Sequence, residues 1–227
     1  MPVFQLNNEI VFPHPLLSEP DGLLAVGGDL SIERLLLAYS NGIFPWYNQT
    51  EQILWWSPNP RTIIFPKNFK VSKSLKQTIR SKKFVVKFDT DFTKVIENCS
   101  SLDNRNDSET WLGSDMKRAY KMLHERGFAH SVETFYKDEL VGGLYGVSLG
   151  KAFFGESMFY RKSDASKIAL YTLCQKLIEW DFHFIDAQIK TDHLLSLGAI
   201  EIENDKYLEL LSESLKFKSK LNEWTDL

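Results

Sequence analysis

Apolar residues recur along this chain with two different periods, and the switches between them outline its elements. Ser31 to Ser40 (SIERLLLAYS) repeats every three to four residues, begins at Asp29 or Ser31 as an N-cap and stops at Asn41-Gly42, so it predicts a helix. From Arg61 onward, short β-patterned runs alternate with helical ones. TIIFP, KFVVKFD, HSVETFYK and ELVGGLYGVSL read as strands, the last two joined by a turn at Lys137-Asp138, and Phe153–Phe159 and Phe182–Ile189 follow as further strands. Helices are expected within VSKSLKQTIRSKK, from Phe92 to about Cys99, from about Gly113 to Arg126, from Asp164 to Trp180, and from Asp192 to a stop at Gly198, with a last strand and helix behind them. A polar stretch, SSLDNRNDSE, breaks the pattern after Cys99. Such an order predicts an α+β domain over residues 63–227, a mixed sheet with helices on its faces. Residues 1–62 hold most of the prolines and only one good helix, and are expected to form a small N-terminal lobe packed on that domain.

Two of the strand patterns carry polar groups where apolar ones would be cheaper. In FFGESMF, Glu156 sits among aromatic and thioether side chains, and an isolated carboxylate there costs several kcal/mol to desolvate. It therefore needs a cationic partner such as Lys167 or a cavity that a ligand enters. In FHFIDAQI, strict alternation puts Phe184, Asp186 and Gln188 on one face and His183, Ile185, Ala187 and Ile189 on the other. An aspartate near a strand end is equally a cap for the following turn.

Composition excludes several classes. At 227 residues, 43% hydrophobic and 25% charged, the chain reads as an ordinary globular protein. No apolar run approaches the roughly 20 residues of a membrane span and the start MPVFQLNNEI lacks signal-peptide order, so a cytoplasmic location is expected. Cys99 and Cys174 have no paired spacing and the five histidines are scattered, so neither metal nor disulfide is expected. With no heptad pattern, a monomer is the default. The net charge of -3 hides an asymmetry: Arg61 to Lys87 holds nine basic residues and no acidic one. Lys73, Lys76, Arg80 and Lys83 fall on one face if this stretch is helical. A solvated helix face is the ordinary reading of such a stripe, and a track for phosphates the functional one.

The glycine pair Gly142-Gly143, a second apolar strand and a turn into a long helix together resemble a GNAT-type acyltransferase sheet, in which glycine admits a ligand or a neighbouring backbone. A coenzyme A enzyme of that type would place glycines at the start of the long helix for the pyrophosphate. Here that turn is YRKSDAS, without glycine, so coenzyme A is not the expected donor and no cofactor is expected.

Nearly the whole chain also resembles the leucyl/phenylalanyl-tRNA–protein transferase family. The resemblance is carried by GLLAVGGDLS, NGIFPWY, LWWSPNPR, Thr110-Trp111, HSVE, LVGGLYGV, FFGESMF, DASK, and IDAQ followed by HLLSLGA. It implies transfer of leucine or phenylalanine from Leu-tRNA or Phe-tRNA to the α-amino group of proteins with N-terminal Arg or Lys, which marks them for degradation under the N-end rule. It further implies that Asp186 and Gln188 act at the amine, and that Glu156 belongs to the acceptor side. An aminoacyl ester is already activated, so alignment supplies most of the acceleration, and an α-amino group with a pKa of roughly 7.7–8.0 needs little help to become a nucleophile. An amide is a poor base, which gives Gln188 an orienting role. The donor side chain needs an apolar pocket, for which Leu144, Phe153, Met158, Leu170, Leu173 and Ile185 are candidates, although such residues are commonly plain core. The family pattern has methionine where this chain has Leu144, a departure that bears on leucine against phenylalanine. Trp46 and Trp111 match the family's stacking pair for the terminal adenosine, with Tyr120 as a further candidate, unless the tryptophans form a lobe interface. The basic stripe would then follow the acceptor stem below the 3′ CCA end.

Two rivals belong to other classes: an acetyl-CoA-dependent N-acetyltransferase on the same sheet, and a catalytically silent tRNA-binding module. The missing glycines oppose the first, and the presence of Glu156, Asp186 and Gln188 opposes the second.

Overall fold

A computed structural model of the chain describes residues 3–48, 52–102, 112–221 and 223–224. In the N-terminal lobe, β1 (Phe4–Leu6), β2 (Leu23–Gly27), α1 (Ile32–Ser40), β3 (Phe44–Pro45) and β4 (Leu54–Trp56) follow in order, and the strands form a sheet ordered β1-β2-β4-β3. Helix α1 starts where the Ser31 hydroxyl accepts the Arg34 N–H at 3.4 Å, and the chain leaves it through Gly42 at φ 70°, a left-handed conformation that suits glycine. Its inner face buries Leu35, Ala38 and Tyr39 completely, the two large side chains each contributing roughly 1.5–3 kcal/mol of hydrophobic stabilisation.

The larger part runs β5 (Arg61–Ile64), α2 (Lys73–Arg80), β6 (Val85–Phe88), α3 (Phe92–Leu102), α4 (Ser114–Glu125), β7 (Ala129–Tyr136), β8 (Glu139–Leu149), β9 (Ala152–Tyr160), α5 (Ala165–Glu179), β10 (Phe184–Gln188), α6 (Asp192–Ser196), β11 (Ile200–Ile202) and α7 (Asn204–Leu215). Its seven strands are ordered β11-β5-β10-β9-β8-β7-β6, a mixed sheet with β9 and β10 as the parallel pair. The chain is thus α+β, a small lobe and a larger mixed-sheet body. Arg61 and Thr62, grouped with the small lobe on composition, instead open a strand of the large sheet.

Both faces of the large sheet are covered. On one, Phe154 and Phe184 meet α3, α4, α7 and the small lobe in a shared core that includes Tyr39, Trp55 and Tyr207. On the other, Phe153, Leu144 and Ile185 pack with Leu170, Leu173 and Leu177 of α5. Gly142 serves that packing: a Cβ there would lie 2.5 Å from the Ala165 Cβ, so the glycine admits the helix rather than a ligand.

Two irregularities shape the centre. Between β8 and β9 the register jumps from Gly146↔Gly155 to Tyr145↔Ser157, which leaves Glu156 as the extra residue of a bulge. Between β10 and β5 it jumps from Asp186↔Ile63 to Gln188↔Thr62, with Ala187 extra. The parallel pairing of β9 with β10 ends at Phe154↔Asp186, and beyond it the two strands part. The bulges stand on either side of that opening.

Candidate active site

A cavity of about 280 Å³ occupies the opening. Leu144, Phe153, Met158, Leu170, Leu173 and Ile185, the six apolar candidates, all line it, together with Ile64. Its polar lining is Glu156, Gln188, Ser157, Thr191 and His193, beside the buried Tyr145, and Glu156 is the one acid among them. All but Met158 of the apolar side chains just named are buried, whereas the polar ones other than Tyr145 are partly or fully exposed, so an apolar floor leads to a polar mouth. Phe153 and Met158 have opposite parity on β9, as do Ile185 and Gln188 on β10. The bulges bring each pair to the same cavity.

Glu156 meets no cation among the described residues. Its Oε1 accepts from Tyr39 Oη at 2.8 Å and from Gln188 Nε2 at 3.0 Å, and its Oε2 accepts from Tyr120 Oη at 2.6 Å. The two phenol oxygens are themselves 2.6 Å apart. Lys167, the internal partner considered above, pairs with Asp164 instead. Burial pushes Glu156 up to about 7, against the pull of the Tyr120 and Tyr39 hydrogen bonds and with help from the charge of Asp186. A carboxyl that titrates near neutrality is suited to exchange a proton at cell pH.

Asp186 is elsewhere, on the face that alternation gives it with Phe184, and Gln188 is the residue that alternation misplaces. The Asp186 side chain is fully buried opposite the cavity, held by Arg61 Nε at 2.9 Å, Arg61 Nη2 at 2.6 Å and Tyr207 Oη at 2.7 Å. The guanidinium lies 4.8 Å from the ring centre of Phe44 and 4.7 Å from that of Tyr207. Burial works against its charge, but Asp186 and Tyr207 outweigh that and raise its pKa further. Gln188 is turned away from this pair. It sits at φ 61° within a three-residue turn closed by Ile189 N–H to Ala187 O at 2.7 Å, while its own N–H is held by Asp186 Oδ1 at 2.9 Å. Asp186 thereby acts on the mouth through the backbone of Gln188.

The remaining expectations divide. Trp46 is 42% exposed, its ring 5.7 Å from that of Trp56, and it is available as a stacking surface. Trp111 lies outside the described residues. Tyr120 is fully buried with its hydroxyl engaged, so it offers no face to a base; its position under Glu156 corrects the stacking assignment. Lys73, Lys76 and Arg80 share the exposed face of α2. Lys83 does not, because the helix ends at Arg80, Lys82 turns at φ 50°, and the Lys83 ammonium rests 5.0 Å over the Phe84 ring. Sequence reasoning missed Tyr39, Arg61 and Tyr207. Tyr39 and Tyr207 read as core aromatics of amphipathic helices, and Arg61 opens an apolar strand; an arginine entering such a strand was the available sign of a buried acidic partner. Among the described residues there is no group of three or more His, Cys, Asp or Glu side chains placed to hold a metal, and both cysteines are free and buried.

An apolar recess with a carboxyl and an amide at its mouth, set where two parallel strands separate, defines a class of site that receives an apolar group beside a polar centre. Relatives narrow the class. A model of the family described as leucyl/phenylalanyl-tRNA protein transferase matches residues 63–212, and one for its N-terminal domain matches residues 28–59. The chain is 52% identical to the leucyl/phenylalanyl-tRNA–protein transferase of Desulfatibacillum aliphaticivorans, over 99% of this chain and 97% of the relative. It is 50% identical to that of Thermodesulfovibrio yellowstonii over 99% and 91%, and to that of Legionella pneumophila over 96% and 98%. Solved structures are more distant: an aminoglycoside acetyltransferase from a soil metagenomic sample (13% identity, TM-score 0.40, 51% of this chain and 84% of that one) and a conserved protein of unknown function from Staphylococcus epidermidis (9%, TM-score 0.44, 80% and 68%). The chain belongs to the leucyl/phenylalanyl-tRNA–protein transferase family, and is a transferase that uses aminoacyl-tRNA and protein substrates.

Proposed function

We propose that the donors are Leu-tRNA and Phe-tRNA, that the acceptors are proteins beginning with Arg or Lys, and that the cavity takes the donor's side chain. The observation that carries this reading is the cavity itself: an apolar floor of about 280 Å³ with Glu156 and Gln188 at its mouth. Leucine and phenylalanine share only an apolar body, and Met158, unbranched and deformable, suits a wall that admits both. With the side chain seated, the ester carbonyl falls at the mouth. Gln188 donates its Nε2 hydrogen to Glu156, which leaves its carbonyl oxygen as the acceptor for the incoming amine. The acceptor's first residue brings an ammonium and a cationic side chain toward the one acid of the lining.

Trp46 supplies a face for the terminal adenine, and Trp111 is its proposed companion. The α2 stripe follows the acceptor-stem phosphates. The turn into α5 supports an ester donor over a coenzyme A thioester. At the position a pyrophosphate would need, the Asp164 carboxylate accepts from Thr78 at 2.9 Å and pairs with Lys167 at 3.4 Å. A tRNA-borne donor places the reaction in the cytoplasm, and among the described residues no helix is long and apolar enough to cross a membrane.

The test is to offer labelled Leu-tRNA and labelled acetyl-CoA, separately, with an Arg-starting and a Glu-starting peptide. Label is expected only from the tRNA and only on the Arg-starting peptide. Transfer from acetyl-CoA would overturn the donor assignment, and equal labelling of both peptides would overturn the acceptor assignment.

A further inference from the structure

Three oxygen–oxygen contacts close a ring behind Glu156, on the buried side of the cavity mouth: Tyr39 to Tyr120 at 2.6 Å, Tyr39 to Glu156 at 2.8 Å and Tyr120 to Glu156 at 2.6 Å. Each is short enough to require a bridging proton, because bare oxygens at that separation repel. The two phenols bring one proton each. Burial, and next the charge of Glu156, raise both phenol pKa values well above the ordinary range, so neither hydroxyl is ionised. An ionised Glu156 brings none, and two protons then serve three contacts. A protonated Glu156 brings the third and completes the ring.

We infer that Tyr39 and Tyr120 are positioning residues that make Glu156 the acceptor of the proton shed by the incoming α-ammonium, the ring being one proton short until that transfer occurs. This rests on the reading of the donor and acceptor given above. In the step, an N–H bond of the ammonium breaks and its proton goes to a Glu156 oxygen. The freed nitrogen lone pair then forms the C–N bond to the ester carbonyl carbon as the bond from that carbon to the ribose oxygen breaks. The ribose oxygen leaves with a second proton from nitrogen, and Glu156 later returns its own to solvent. Tyr39 comes from α1, so the small lobe completes the base.

The groups that face Glu156 come from several elements. Tyr39 lies on α1, Tyr120 on α4 and Gln188 on β10, and the charge of Asp186 is felt from β10 although Arg61 of β5 neutralises it. Tyr145 of β8 and His193 of α6 line the same cavity. Taken singly, each phenol is a donor that favours the carboxylate. The closed ring reverses this. Removing either hydroxyl leaves one oxygen–oxygen contact and one phenol proton, a set that is balanced when Glu156 is ionised and has a proton too many when it is not.

The experiment is a titration of the substrate-free, full-length protein carrying ¹³C at glutamate carboxyl carbons, with the Glu156 signal assigned by its loss in Glu156→Gln. Tyr39→Phe and Tyr120→Phe are expected to move the Glu156 midpoint down by about one pH unit, tenfold in proton affinity. The acid limb of kcat for peptide acceptors is expected to move with it. An upward move would show two independent donors, and an unmoved midpoint would show a merely structural pair; either result overturns the ring. Because the titration uses no substrate, it stands apart from the identity of donor and acceptor. Wild-type protein that fails to transfer from aminoacyl-tRNA would instead overturn the reading on which the proton's source depends.

Discussion

Asp186 receives the backbone N–H of Gln188 on Oδ1, at 2.9 Å, the same oxygen that takes Arg61 Nε at 2.9 Å. One atom thus couples a buried ion pair to a strained turn at the cavity mouth. Removing only one partner of such a pair leaves a bare charge in the interior, at about 3–5 kcal/mol. Asp186→Ala is expected to lower stability by that amount and to depress kcat through Gln188. The double variant Arg61→Met with Asp186→Leu is expected to recover most of the melting temperature and little of the activity. Urea unfolding beside the transfer assay decides it, and a double variant with wild-type activity would remove Asp186 from the positioning of Gln188.

Glu156 has a folded pKa raised from 4.5 to about 7, so the fold favours its protonated form. That contribution to stability is complete below the unfolded value of about 4.5 and is lost as pH rises through about 7. Glu156→Gln, neutral throughout, is therefore expected to be inactive yet more stable than wild type near pH 8, by about 1–3 kcal/mol, and close to it near pH 4. Thermal melts across this range check the sign, and a variant that is less stable on the alkaline side refutes the raised value.

Leu144 stands in the floor of the cavity, 3% exposed and paired across the strands with Met158. Leu144→Phe adds bulk to a recess of about 280 Å³ and should reduce kcat/KM for Phe-tRNA more than for Leu-tRNA, by roughly tenfold or more in the ratio. Competition between the two charged tRNAs measures it. An unchanged ratio would mean that the donor side chain lies elsewhere.

On the proposed function, Lys73, Lys76 and Arg80 would act on the donor by charge alone. Their triple alanine variant is expected to raise KM for aminoacyl-tRNA with kcat preserved, and to flatten the log–log salt dependence of binding by about 2–3. Lys83→Ala, off the helix, is expected to have a smaller effect than any one of them. A salt slope equal to that of wild type would make the stripe an ordinary solvated face.

Much of this was legible without coordinates. Strand β8 and helix α4 lie where the residue pattern puts them, β8 as an apolar run bounded by turns and buried on both faces, α4 by its helical period. Glu156 stood out for being a carboxylate that an apolar strand has no reason to keep. The same rule of alternation placed Asp186 with Phe184 and failed at Gln188, which it assigned to that face as well. Bulges at Glu156 and Ala187 break the period within a residue or two, and nothing in the local composition marks them.

The sequence by itself determined the succession of elements and the polar residues that interrupt two strands, since these follow from hydrophobicity and spacing along the chain, whereas the apolar cavity residues were named only through the family resemblance. Only the tertiary structure decided the company the polar residues keep: Tyr39 and Tyr120 on Glu156, Arg61 and Tyr207 on Asp186. These partners lie 117, 36, 125 and 21 residues apart in the chain. A hydrogen bond between such distant groups leaves no periodic trace, and it exists only once the two lobes and both faces of the sheet have closed around it.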